Sequence, residues 1–195
     1  VYEQVDGCME KDGGPVIGIQ IENEYGHVGG LQGPEGEAHI RTLTAMAKEI
    51  GFDVPLYTAT GWGGACIGDL LPVMGGYCEA PWDQRTCEIE PNANFVFSHT
   101  RNDALIACDH HVENANSYNE EDFPFLTAEL GGGLQVTMHR RPVAKGCDVG
   151  AMSTVKMGSG AGLLGYYMYH GGSNPKGKLS TLQESRATGY LNDLP

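Results

Sequence analysis

The sequence predicts an α/β fold of parallel strands joined by helices or long connections, and three observations carry that prediction. Five short apolar runs, at residues 16–22, 54–60, 73–79, 125–129 and 163–170, read as strands. Helical spacing or a long connection separates successive runs, as parallel βαβ units require. Two of the runs deliver a glutamate at their carboxyl end, Glu24 and Glu129, which is the end at which an α/β barrel keeps its reactive groups.

Taken in order, residues 1–9 read as a helix, and Gly13-Gly14-Pro15 turns the chain into the first strand. There Ile17, Ile19 and Ile21 share one face while Gly18, Gln20 and Glu22 share the other, because strand side chains alternate. An ordinary buried parallel strand is apolar on both faces. Carboxylates and amides along one face fit either a polar lumen opening onto a site or an edge strand with a solvated face. Glu22 and Glu24 have the same parity and compete for the same position.

From residue 35 to 50, Ile40, Leu43, Ala47 and Ile50 recur at helical spacing, and Gly51 follows as a stop. The strand at 54–60 releases Gly61-Trp62-Gly63-Gly64 into a loop on the side of Glu24, and the strand at 73–79 runs into Ala80-Pro81-Trp82. Residues 85–122 are rich in Asn and Asp and read as one long connection. Within it Asp109, His110, His111 and Glu113 have metal-ligating side chains, but adjacent histidines diverge on any regular backbone. A solvated loop is the expectation, and neither a metal nor another cofactor is expected. A helix over 148–156 and a glycine turn at 158–162 lead into the last strand. That turn contains Gly160-x-Gly162-x-x-Gly165, formally a dinucleotide fingerprint, but the fingerprint needs a strand before it and a helix after it, and here the order is reversed.

Cleavage of a glycosidic bond needs two carboxylic groups flanking it, one to protonate the leaving oxygen and one to attack or to activate water. Glu24 and Glu129 supply such a pair. The stretch Gln20-Ile21-Glu22-Asn23-Glu24-Tyr25-Gly26 resembles the acid/base signature of the family 35 glycoside hydrolases, the β-galactosidases. Gly165-Tyr166-Tyr167-Met168-Tyr169-His170-Gly171-Gly172-Ser173-Asn174 is similar to that family's last barrel strand. The resemblance implies a (β/α)8 TIM barrel, with Glu24 as general acid/base, Glu129 as nucleophile and Asn23 on the sugar's 2-hydroxyl. It assigns Glu22 to orientation or sugar hydrogen bonding, and it places Tyr169, His170 and Asn174 at the substrate. Trp62, an indole among glycines, can stack on a sugar's C–H face or plug the barrel mouth, and Trp82 has the same two readings. The chain departs from the family pattern after the nucleophile, at Gly131-Gly132-Gly133, and after the last strand, at Pro175-Lys176, where many members carry an aromatic residue.

The implied reaction is removal of a terminal β-D-galactose with retention, in which Glu129 attacks the anomeric carbon and Glu24 protonates the departing oxygen, then deprotonates water. The acid role requires Glu24 to hold its proton near neutral pH, which the nearby charge of Glu129 and partial desolvation would favour. Another exo-β-glycosidase, a β-glucosaminidase or β-glucosidase, and a non-catalytic carbohydrate-binding relative stay open.

A complete eight-fold barrel usually needs about 250 residues, whereas this chain has 195 and five strand signals. It reads as part of such a barrel, approximately strands four to eight. Acidic residues outnumber basic ones 25 to 12, for a formal charge of −13, which disfavours nucleic acid while leaving a neutral carbohydrate free to approach. No apolar run approaches the roughly 18 residues of a membrane span, so membrane insertion is not expected. The family implies a secreted or periplasmic setting, and the sequence leaves the oligomeric state open. Cys8, Cys66, Cys78, Cys87, Cys108 and Cys147 lack zinc or redox spacing and are expected mostly as buried thiols, although Cys78 and Cys87 flank one loop and could bridge.

Overall fold

The computed structural model describes residues 1–27, 29–61, 64–78, 93–99, 101, 117–131 and 143–167. Five parallel strands form one sheet: β1 (Ile19–Asn23), β2 (Leu56–Gly61), β3 (Leu71–Tyr77), β4 (Leu126–Gly131) and β5 (Leu163–Tyr166). Each pairs with the next in sequence, so the spatial order is β1-β2-β3-β4-β5. All five expected strands are therefore present, and the α/β class of the chain is established. Among the described residues β1 and β5 are the two ends of the sheet.

Helix α1 (Tyr2–Val5) is shorter than the run expected over residues 1–9, because Asp6 is extended and Gly7 takes φ +77. Helix α2 (Gly33–Ile50) starts with proline in its first turn and stops at Gly51, whose φ of +116 is strained for any side chain. Its buried stripe is Gly36, Ile40, Thr44 and Ala47. Thr44 takes an inward position without penalty because its hydroxyl donates to the Ile40 carbonyl oxygen at 2.8 Å. Ile50, expected on that stripe, is 53% exposed. Between α2 and the sheet lies a core of Ile40, Ala47, Leu56, Cys66 and Leu70, with Ile19, Ile21, Tyr25 and Phe52 packed against it. Helix α3 (Gly146–Gly158) buries Met152 and Val155 beside β4 and β5.

The expected alternation in the first strand needs two corrections. Ile17 is 61% exposed, since residues 16–18 precede β1 and Val16 is tied to Cys8 and Glu10 instead of to β2. Further on, Gln20 pairs with Tyr57 and Asn23 with Ala59, three steps on β1 against two on β2. The extra residue is a bulge, and Glu22 takes a left-handed φ of +60 there.

The cysteine expectation also changes. Cys66 is buried, but Cys8 and Cys147 are exposed. Cys147 lies in the first turn of α3, before the part of the helix that buries Met152 and Val155. Cys87 and Cys108, and with Cys87 the possible Cys78 bridge, lie outside the described residues, as do Asp109, His110, His111 and Glu113.

Candidate active site

The carboxyl edge of the sheet gathers Asn23 at the end of β1, Glu24 directly after it, Tyr77 at the end of β3 and Glu129 near the end of β4. β4 runs two residues past Glu129, so this glutamate lies within the strand and not at its last position. Being in the ladder fixes its direction. Gly75 is its register partner on β3, and a Cβ at Gly75 would come within 3.2 Å of the Glu129 Cβ. The glycine leaves the room into which the glutamate packs. Gly76 does the same for Asn94, whose Oδ1 would stand 2.9 Å from a Cβ there.

Tyr77 has the parity of Gly75 and so projects from the same face of β3. Its hydroxyl donates to Glu129 Oε2 at 3.1 Å, and its ring, 3% exposed, meets Tyr167 edge-on with centroids 6.5 Å apart. Asn94 Nδ2 donates to the Tyr77 carbonyl oxygen at 3.1 Å and anchors the strand end from behind. Burial pushes the Glu129 carboxyl above the usual carboxylate range, and the Tyr77 hydrogen bond acts against that rise. Burial also drives the Tyr77 phenol far above its ordinary value, with the charges of Glu129 and Glu24 adding to the effect. The hydroxyl therefore stays protonated and donating while two carboxylates act on it.

Glu24 follows β1 directly. Its backbone N–H donates to the Ala59 carbonyl oxygen at 2.8 Å, and its own carbonyl accepts from the His27 N–H at 3.0 Å. A left-handed φ of +51 at Glu24 adds a second departure from extended backbone. The bulge brings Asn23 to the side of Gln20, whose Nε2 donates to Asn23 Oδ1 at 3.0 Å and to the Glu22 carbonyl oxygen at 2.9 Å. The Glu22 carboxylate instead meets His39 of α2, with Oε1 3.2 Å from Nε2. Trp62, Trp82, Tyr169, His170 and Asn174 lie outside the described residues.

Two residues of this neighbourhood escaped the sequence reading. Tyr77 lay inside an expected strand with no local signal, because its contact with Glu129 depends on the register of β3 on β4. His39 carried none, because the bulge that turns Glu22 toward it arises only when two strands pair.

The carboxyl edge of this α/β sheet thus carries a buried tyrosine hydroxyl on the Glu129 carboxylate, with Glu24 directly after β1. A family model for the glycosyl hydrolases of family 35 matches residues 1–193, and the chain belongs to that family. It is similar to Beta-galactosidase 17 of Arabidopsis thaliana, 45% identical over 54 residues, which is 27% of this chain and 7% of that protein. It is also similar to Beta-galactosidase 6 of Oryza sativa subsp. japonica, 41% identical over 49 residues, 25% of this chain and 6% of that protein. The matched stretches are thus a small fraction of the curated relatives. No solved structure matches the chain. Among the described residues no helix is long and apolar enough to cross a membrane.

Proposed function

We propose that the chain is the C-terminal part of the TIM-barrel catalytic domain of a retaining exo-β-galactosidase, with β1 to β5 as barrel strands four to eight. The sequential, all-parallel strand order and the family support the barrel reading. The observation that carries the chemistry is the Tyr77 to Glu129 hydrogen bond at the carboxyl edge of the sheet, where Glu24 also stands.

In this reading the Glu129 carboxylate attacks the anomeric carbon as the glycosidic C–O bond breaks, and Glu24 gives its proton to the departing oxygen. Glu24 then takes a proton from water, whose oxygen displaces Glu129 and releases galactose with its original configuration. Tyr77 holds the nucleophile in one rotamer and keeps it ionised by donating to it. Asn23, on the Gln20 side of the bulge, is assigned to the sugar's 2-hydroxyl. Glu22, Trp62, Tyr169, His170 and Asn174 complete the proposed substrate contacts, and no cofactor takes part.

The test uses the full-length enzyme with aryl β-galactoside, β-glucoside and β-N-acetylglucosaminide, and follows the first-formed product anomer by NMR. Preference for the galactoside with a β product is expected. An α product would place the carboxylates about 6.5–9.5 Å apart, not the roughly 5–5.5 Å of retention, and would remove the nucleophile assignment.

A further inference from the structure

We propose that His39, acting with Glu22, is a positioning residue that sets the direction of the Glu24 acid/base. This role rests on the proposed function above.

The backbone supplies the need for such a device. Glu22 and Glu24 are the two non-glycine residues with positive φ among the described residues, at +60 and +51. A glutamate holds that conformation only where its surroundings fix it, and such conformations cluster at working sites. Asn23 lies between the two. The direction of its side chain and of Glu24 thus depends on how firmly both flanks of the bulge are gripped.

One imidazole grips both flanks. His39 Nε2 lies 3.2 Å from Glu22 Oε1 on the upstream side. On the downstream side the same ring stacks on Tyr25, with centroids 4.3 Å apart and planes 20° from parallel. Tyr25 is itself held, since its carbonyl accepts from the Cys66 N–H at 2.8 Å and its ring occupies the space beside Gly30. His39 sits in the middle of α2, one residue before Ile40, which is fully buried in the core. The core under α2 therefore fixes the ring, and the ring fixes residues 22 and 25 around the acid/base.

Energy does not explain the pair. The His39 and Glu22 side chains are 36% and 35% exposed, and a contact so open to solvent adds little to folding. What it can change is the aim of Glu24, and misplacement of a reacting group costs rate steeply.

The experiment measures kcat/KM of full-length His39→Ala and His39→Gln on two β-galactosides. The phenyl leaving group needs a proton from Glu24, and the 2,4-dinitrophenyl group does not. For His39→Ala a loss of about 10-fold or more is expected on the phenyl substrate, part of the roughly 10²–10⁴-fold that general acid catalysis supplies. On the dinitrophenyl substrate the loss should stay within about 3-fold, because nucleophilic attack by Glu129 does not use His39. His39→Gln, which keeps a planar donor, should recover part of the phenyl activity. Equal losses on both substrates, or none on either, would overturn the role. Should His39→Ala not fold, His39→Gln carries the same comparison. A wild-type enzyme inactive on every aryl glycoside would instead overturn the functional reading, and this role with it.

Discussion

The Tyr77 hydroxyl reaches from β3 to β4 and donates to Glu129 Oε2 at 3.1 Å. The phenol is buried, and that burial pushes it far above its ordinary pKa, which favours the protonated, donating form. Burial raises the Glu129 carboxyl, and this one hydrogen bond opposes the rise. In the proposed mechanism this bond favours the ionised carboxylate that nucleophilic attack requires.

Tyr77→Phe removes the opposing bond. The Glu129 pKa should then climb further, moving the acidic limb of kcat/KM to higher pH. Losing a hydrogen bond to a charged group costs about 1.5–3 kcal/mol, which at neutral pH is roughly 10- to 100-fold in rate. A pH–rate profile of the variant decides the matter, and an unmoved acidic limb would separate Tyr77 from the ionisation of Glu129.

Glu129→Gln should lose glycosyl-enzyme formation and gain stability. The folded pKa of Glu129 lies above its unfolded value, so the folded state binds the proton more tightly and is weakened as pH rises through the folded pKa. The amide carries no charge and escapes that loss. Denaturant midpoints should favour the variant at neutral pH, with the advantage shrinking below the ordinary carboxylate range near 4. A variant less stable than wild type at pH 7 would contradict the burial argument.

Gly75→Ala tests the space given to Glu129. Its new Cβ would lie 3.2 Å from the Glu129 Cβ, so one of the two strands must give by a few tenths of an ångström. Displacement by an ångström can cost about 10²-fold, and a smaller shift should still lower kcat by about 10-fold. Thermal denaturation should show little change. Full activity in the variant would mean that the glutamate is not held by this packing.

Ile40→Ala probes the core between α2 and the sheet. Ile40 is fully buried, and truncation of such a residue typically costs about 2–5 kcal/mol through lost transfer energy and a residual cavity. Because α2 also carries His39, a fall in phenyl galactoside activity should accompany the lower urea midpoint. Stability within about 0.5 kcal/mol of wild type, the range of an ordinary surface change, would show that the site collapses around the smaller side chain.

The sequence by itself determined the five strands, their parallel α/β class, the long helix with its stop at Gly51, and the two glutamates near the sheet's carboxyl edge. These follow from periodicities and breakers that act within a few residues. Interactions across the fold decided the rest. Alternation placed Glu22 beside Glu24, but pairing with β2 leaves one residue extra, and the bulge sends Glu22 to His39 while bringing Asn23 to Gln20. Ile17 looked like core, yet the chain there is tied to Cys8 and Glu10 and stays exposed. The partner of Glu129 was unreadable for the same reason, since Tyr77 lies 52 positions away and meets it only through the register of β3 on β4. Local sequence sets which way a strand would face on its own, whereas register, fixed by packing between elements, sets which side chains meet.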